Sequence, residues 1–487
     1  MKYICWGAVE VYVCVVMKIL SWNIKGQGKK MKQSKLKKLF QKRNVDMVLL
    51  QETKKSEISK VEIKSMWVRD KVELLAVDSE GSAGGLLCVW DLDVFPISES
   101  CSNKRFLLLS GTFFHSFECV ILNIYAPNDV GLRGKLWKCL VKLKEEFPKP
   151  LCMGGDFNEI RNIGERKGCS RRDKGMRELN GFIDKCEVSD LPLLGRKYTW
   201  CNSCEGEKWS RIDRVLVDPK WLESFKLKLW GLPRLLSDHS PLLLIEDERD
   251  WGPKPFRVQN AWFLHKNLHY FWENSWKEAR IEGWAWFILL NKLKTLKAGL
   301  KKWNVEVFGN VINNLKAAES ELHNFDLVAK NRDLDESEKT RRREVRGEVW
   351  RLSKMVERLW FQKSRLNWAL NGDKNTRFFH VMTKCRQMRN EINSITEGEV
   401  MYEVPCQVKK RVFEFFKTHF SEDRVERPEL GGSFKSVQGC CGFERLEEVF
   451  SEAEIKSAVM DCDGKKAPGP YGFNMGVFPE ILECDKE

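Results

Sequence analysis

From residue 17 to about residue 245, short apolar runs alternate with turn-rich stretches, and most of the runs hand over to a polar residue at their far end. Residues 18–23 (KILSWN) predict a strand ending in Asn23, with Gly26 and Gly28 opening the loop behind it. A helix follows, with Leu36, Leu39 and Phe40 on one face and lysines on the other. Residues 45–52 are an almost unbroken apolar run, the pattern of a strand covered on both faces, and they close on Glu52. Residues 85–90 and 106–114 predict two scaffold strands. Residues 117–124 predict a third, delivering Tyr125 into Ala126-Pro127-Asn128, where Pro127 cannot donate to a ladder. An amphipathic helix over 136–147 leads to a short buried strand over 148–153. Gly154 and Gly155 then predict a sharp turn from which Asp156 and Asn158 emerge together. Residues 198–200 and 211–217 predict further strands, and 235–241 (LLSDHSP) closes the region.

Beyond about residue 250 the period changes. Leu289, Leu293, Leu296, Leu300, Trp303 and Val307 recur at helical spacing, as do Val345, Val349, Leu352, Val356 and Leu359, and this predicts a helical connector. Its runs of Lys, Arg and Glu read as solvated helix faces, although a basic helical surface also suits a nucleic-acid backbone. Residues 450–460 predict one more helix, and 464–473 a Gly/Pro turn.

Charge adds a partner to this picture. The 83 Lys+Arg outnumber the 69 Asp+Glu, leaving a net +14, which favours a polyanion such as nucleic acid over an acidic small substrate. The 17 cysteines are odd in number and scattered, and Cys201-x-x-Cys204 has no second pair at ligand spacing; a disulfide scaffold and a zinc knuckle are both disfavoured. Residues 1–16 are apolar, but Glu10 interrupts them and no small-residue cleavage site follows. They read as an extension upstream of Met17, neither signal peptide nor membrane span.

The candidate chemistry lies in the strand-end residues Asn23, Glu52, Tyr125, Asp156, Asn158, Asp213, Asp238 and His239. Residues 153–160 taken alone are equally an Asx-rich turn. Together the set supplies oxygen ligands for a hard cation, a base for water and hydrogen-bonding groups for a phosphate, the three requirements for cutting a phosphodiester. Neither a Ser-His-Asp elbow nor a phosphate-cradling P-loop competes with it.

Seven motifs in order carry a resemblance: SWNIKG at 21–26, LQETK at 50–54, NIYAP at 123–127, GGDFN at 154–158, YTW at 198–200, SRIDR at 210–214 and SDHSP at 237–241. With these the region resembles the endonuclease/exonuclease/phosphatase family, and within it the apurinic-type endonuclease domain of LINE-type (non-LTR) retrotransposon polyproteins. Gln362-Lys363-Ser364-Arg365, Trp368, Gly372-Asp373-Lys374-Asn375-Thr376 and Phe378-Phe379-His380 are similar to the segment that follows the endonuclease in the plant kind, and Lys466-Ala467-Pro468-Gly469-Pro470 to the first block of the reverse transcriptase. Tyr471 stands where that block has an Asp, and no Asp-Asp dyad after an aromatic-Ala pair follows.

The resemblance implies an α/β fold, a four-layer sandwich of two β-sheets flanked by helices over residues 17–245. A mostly helical connector (246–448) and a truncated polymerase start (449–487) would follow. Carried over by position, it makes Glu52 the principal Mg²⁺ ligand (Mn²⁺ being an alternative), with Asn23 and Asp238 near the metal. Asp156 would activate the water, Asn158 would hold the phosphate and orient Asp156, Tyr125 would donate to the phosphate, and His239, paired with Asp213, would contact it as charge builds. Thr199 and Ser210 match polar, substrate-side positions. The implied activity is a Mg²⁺-dependent DNA endonuclease acting in the nucleus on DNA, with element RNA as a further partner and no templated synthesis. Two alternatives stand beside it: a catalytically silent nucleic-acid-binding remnant of a mobile element, and a phosphatase of the same superfamily.

Overall fold

A computed structural model of the chain describes residues 5–6, 9–10, 17–26, 30–55, 58–67, 69, 71–80, 83–168, 174–202, 207–234, 236–364, 376–398, 400–422, 426, 431–432, 448–464, 468–469, 471–479 and 481. Most of residues 1–16, Cys204, Arg365, Trp368, Gly372 to Asn375, and Lys466, Ala467 and Pro470 lie outside them. The chain forms two compact units, Met1–Trp251 with Lys384–Phe415, and Gly252–Thr383 with Phe416–Glu487.

The first unit contains a short pair, β1 (Cys5–Trp6) and β2 (Val9–Glu10), and two large sheets. One sheet has seven strands: β3 (Lys18–Asn23), β4 (Met47–Gln51), β5 (Val72–Glu80), β6 (Ala83–Asp91), β13 (Leu193–Leu194), β17 (Leu227–Gly231) and β18 (Leu242–Glu246), in the order 13-17-18-3-4-6-5. The other has six: β7 (Ile97–Asn103), β8 (Phe106–Phe113), β9 (Phe117–Tyr125), β10 (Leu151–Asp156), β12 (Ser189–Asp190) and β16 (Asp213–Val217), in the order 12-16-10-9-8-7. A three-stranded sheet of β11 (Arg166–Lys167), β14 (Trp200–Cys201) and β15 (Trp209–Ser210) sits beside the strand ends, in the order 11-15-14.

Helices cover the outer faces. Leu36, Leu39 and Phe40 of α1 (Lys30–Arg43) and Ile63 and Met66 of α2 (Lys60–Met66) close on Leu20, Trp22, Val48 and Leu50 of the seven-stranded sheet. Leu136, Trp137 and Leu140 of α3 (Val130–Glu146) and Leu179, Phe182 and Ile183 of α4 (Lys174–Lys185) close on Leu122, Ile124 and Met153 of the six-stranded sheet. A short α5 (Pro219–Ser224) links β16 to β17. The result is the expected α/β sandwich of two sheets flanked by helices. Six of its strands, β5, β7, β12, β13, β17 and β18, are additional to those the apolar pattern predicted; β7 (ISESCSN) is almost wholly solvent-facing and has no alternation to read.

Between the sheets, β10 lies against β3 and β4, and here the sequence reading needs correction. Gly154 and Gly155 do not form a turn, because β10 runs straight through them to Asp156. Each is small for its own reason: a Cβ on Gly154 would stand 2.9 Å from Leu49 Cδ1 of the facing sheet, and one on Gly155, at φ +150°, 2.0 Å from Ile124 O of the neighbouring strand β9. Close by, Gln51 Nε2 donates to Asn123 Oδ1 (2.7 Å) and Ser21 Oγ (3.2 Å), while Asn123 Nδ2 donates to Leu50 O and Leu87 O. This buried polar bridge fixes the sheets against each other directly behind the strand ends.

Residues 384–415 fall within the expected connector, yet they pack on the first unit. They comprise the second half of α10 (Thr376–Asn390), the hairpin β19 (Ile395–Glu397) and β20 (Val400–Tyr402), and most of α11 (Pro405–His419). Lys228, buried on β17, is bonded to Glu391, and Arg249 Nη1 donates to Asn393 O (3.1 Å) and Glu403 O (2.8 Å).

The second unit is helical: α6 (Leu268–Glu278), α7 (Ala285–Trp303), α8 (Val311–Asn331) and α9 (Glu336–Ser364). Its core gathers Trp262, Trp272, Leu296, Leu300, Trp303, Val345 and Leu352. Phe473, Val477 and Ile481 complete that core, and Val258 N–H donates to Gly472 O (2.8 Å), so these residues of the 449–487 stretch pack within this unit. Among the described residues no helix is long and apolar enough to cross a membrane.

Candidate active site

The strand register brings the polar residues together. Asp156, last residue of β10, pairs with Tyr125 at the end of β9 on one side and with Asp213 at the start of β16 on the other. Across the sandwich, β3 and β4 run parallel and release Asn23 and Glu52 at the same end. The loop before β18 supplies Asp238 and His239, and His239 is pinned by a bridge to Trp200. A cavity of about 320 Å³ opens here, lined by Asn23, Glu52, Tyr125, Asp156, Asn158 and His239 on its expected walls, and by Ser210 and Asp238.

Asp156 is 1% exposed and held by three groups. Asn23 Nδ2 donates to its Oδ2 (3.0 Å), the Asn158 N–H donates to its Oδ1 (2.9 Å), and His239 Nε2 stands 3.9 Å from Oδ2. Burial, and then the adjacent Asp213 charge, push its carboxyl up to about 7. His239 Nδ1 faces both Asp213 oxygens at 3.0 and 2.9 Å. Burial alone would depress this imidazole, but Asp213 and then Asp156 outweigh it and raise it to about 9, so it carries a proton at neutral pH. Asp156, Asp213 and His239 offer atoms within 4.8 Å of one another, a spacing that would suit a cation. With a charged imidazole already between the carboxylates, the trio is better described as a proton-bearing chain than as a metal cage.

Glu52 stands on the cavity wall. Its backbone is left-handed (φ +52°), as are Asn158 (φ +50°) and Lys25 (φ +47°), and all three line the cavity. Such conformations cost about 1–3 kcal/mol each and persist where surrounding structure over-determines them. The Tyr125 hydroxyl donates to Glu52 Oε1, and burial together with that acceptor holds the phenol above its ordinary range, so it stays a donor. The carboxylate of Glu52 and the Asn23 side-chain oxygen are hard oxygen donors at the cavity wall, a set that fits a divalent cation.

Several residues take places of their own. Asp238 faces the cavity, but Lys25 Nζ (2.8 Å) and the Trp200 indole N–H (3.2 Å) both donate to its Oδ2, and against the effect of burial Lys25 keeps it below the usual carboxylate range. Asn158 orients Asp156 through its backbone, while its Nδ2 donates to Ala126 O (2.7 Å). Ser210 lines the cavity and its Oγ accepts from Arg166 Nε (3.3 Å). Thr199 is 1% exposed and absent from the cavity wall; its Oγ1 accepts the N–H groups of Ile212 (3.1 Å) and Asp213 (3.0 Å). It therefore fixes the backbone at Asp213 from behind the cavity wall.

Lys25, Asn128, Arg166, Trp200 and Ile212 complete the wall without having been expected there. Lys25, Asn128 and Trp200 lie in or beside the motifs and were legible. Arg166 sits in a stretch with no pattern. It is held by β11–β15 pairing and by the Arg211 N–H to Glu165 O bond (2.9 Å), beside the buried Arg214, which pairs with Glu165 and Asp190.

Comparison with known proteins finds the following likenesses. The chain is 22% identical over 383 residues to the "Transposon TX1 uncharacterized 149 kDa protein" of Xenopus laevis, covering 74% of this chain and 28% of that protein, so it spans little more than a quarter of the relative's length. Among solved structures it is similar to the endonuclease domain of TRAS1, a telomere-specific non-LTR retrotransposon, at 17% identity and a TM-score of 0.38 over 48% of this chain and 100% of that one. It is also similar to the AP endonuclease LMAP from Leishmania major, at 15% identity and a TM-score of 0.40 over 48% and 88%. Residues 20–239 match the model of the Endonuclease/Exonuclease/phosphatase family.

Proposed function

We propose that the first unit is a Mg²⁺-dependent DNA endonuclease, the target-nicking enzyme of a LINE-type element acting in the nucleus. The observation that carries the reading is the single cavity in which a buried carboxylate, an imidazole charged by Asp213, a phenol donor and the Glu52 carboxylate converge. The transposon relative and the net +14 charge support the element and the nucleic-acid substrate.

Asp156 in its ionised form takes a proton from a water as the water oxygen attacks phosphorus and the bond to the leaving oxygen breaks. His239, already charged, donates to a phosphoryl oxygen as its negative charge grows, and Tyr125 does so when its one hydroxyl hydrogen turns from Glu52 Oε1 to the phosphate. Asp213 keeps the imidazole oriented with its Nε2 toward the cavity, and Asn23 and Asn158 hold the Asp156 carboxylate in place. A divalent ion bound at Glu52 and Asn23 would supply Lewis-acid neutralisation of the phosphate.

The test is nicking of supercoiled plasmid by the purified chain with Mg²⁺ and with chelator, beside the Asp156→Asn variant. Mg²⁺-dependent conversion to open circles that Asp156→Asn abolishes is expected. No nicking by the folded parent chain would favour a silent binding remnant, and release of inorganic phosphate from monoesters without nicking would favour a phosphatase.

A further inference from the structure

Helix α9 carries a second surface whose chemistry the cavity does not use. Its 29 residues hold nine Lys or Arg against five Glu. Val345, Leu352, Met355, Val356 and Leu359 form its buried face. Lys339, Arg343, Arg346, Trp350 and Lys354 follow one another at steps of three and four, which places them in one stripe on the opposite, solvent side.

The acids of the helix are engaged largely beside the stripe. Glu338 pairs with Arg332, Glu344 with Arg341 and Glu348 with Arg351, while Glu336 pairs with Lys339 at one end and Glu357 lies past Lys354 at the other. Arg343 donates to Lys339 O and Thr340 Oγ1 of its own helix, and among the described residues no carboxylate lies within 4 Å of Arg346. At the centre Trp350 is 63% exposed, with Lys354 Nζ 3.5 Å from its ring centroid. One turn before it stands Gly347, a residue that weakens a helix interior; a Cβ there would meet nothing within 4 Å. The surface beside the indole is therefore open.

We propose that this stripe binds single-stranded nucleic acid, with Arg343 and Arg346 on the backbone phosphates and Trp350 as a stacking platform for a base. A charged stripe alone would suit any polyanion. The exposed indole decides for a single strand, because its ring can stack only on a base whose face is free, and in a duplex those faces are covered.

The test uses the full chain carrying Asp156→Asn, so that the probe survives, and follows fluorescence anisotropy of labelled dT and U 15-mers and of a 15-base-pair duplex. Trp350→Ala is expected to weaken 15-mer binding about tenfold and to leave duplex binding unchanged, and the double change Arg343→Glu/Arg346→Glu to weaken 15-mer binding at least about tenfold and duplex binding by less. Trp350→Phe should retain most of the affinity, and ultraviolet cross-linking should recover the peptide that contains Trp350. A larger loss for one 15-mer than for the other identifies whether the stripe takes DNA or RNA. In chains with unaltered far-ultraviolet circular dichroism, parental affinity in both variants overturns the proposal. Equal losses for duplex and 15-mer, or equal displacement of the 15-mer by polyglutamate, overturn it as well, since either would show a non-specific charged face.

Discussion

Asp156 and Glu52 are both carboxylates, but their surroundings set them different tasks. Glu52→Gln keeps the shape and removes the negative charge at the cation wall; nicking should fall and be partly recovered by raised Mg²⁺. Asp156→Asn removes the proton acceptor, worth about 10²- to 10⁴-fold in rate, and added metal should recover none of it. A metal titration of plasmid nicking distinguishes them, and rescue of Asp156→Asn but not of Glu52→Gln would reverse the assignment. The pH profile follows from the same residues. Ionisation of Asp156 should raise the rate as pH passes about 7, and loss of the His239 proton should lower it as pH passes about 9. The imidazole is raised on folding from 6.5, so its stabilising contribution is complete below that value and lost as pH rises through about 9. The difference in urea midpoint between parent and His239→Gln should accordingly shrink from pH 6 to pH 9.5, whereas a constant difference would show that His239 is not raised. Most of the site residues were legible because each ends an apolar run. The place of Thr199 behind the wall was not legible, because a hydroxyl at a strand end reads the same whether it lines a cavity or meets backbone, and Arg166 was missed because its neighbour Glu165 is held by ion pairs far apart in sequence.

At the scale of elements, the Gln51–Asn123 bridge holds the strand ends in register across the sandwich. Asn123→Ala should remove one of the three acceptors of Gln51 Nε2 and the side-chain donor to two buried carbonyls, at about 1–3 kcal/mol in all, and its urea midpoint should fall with little change in slope. A midpoint equal to the parent's would mean that water replaces the amide. The returning segment is a second device. Arg249 donates to Asn393 O and Glu403 O and lies 5.7 Å from the Trp230 ring and 5.5 Å from the Trp251 ring. Arg249→Ala should speed amide exchange in residues 391–411 while the β10 core stays protected; unchanged exchange would show that the segment is held elsewhere. The two central sheets were readable from period-two and continuous apolar runs. The glycine pair of β10 was not, since nothing local separates a glycine that turns from one that makes room for a facing sheet or a neighbouring strand.

For the molecule as a whole, a net +14 charge predicts binding governed by counterion release. Duplex affinity of the Asp156→Asn chain should fall linearly on a log–log plot between about 50 and 200 mM salt, and a flat line would point to a small phosphorylated substrate. The change from strand to helix near residue 250 was visible in the sequence, but the return at residue 384 was not, because a helix that docks on a distant sheet carries the same amphipathic period as any other. That return has a consequence for the order in which the protein is made. The first unit is interrupted at Trp251 and resumes at Lys384, so a ribosome must add roughly 160 more residues before the last of it, Phe415, exists. At about 5–20 residues per second, the sandwich waits roughly 8–30 s with Lys228 and Arg249 uncovered. The nascent chain is therefore most in need of a chaperone while the helical unit is being translated, after the catalytic strands have already emerged.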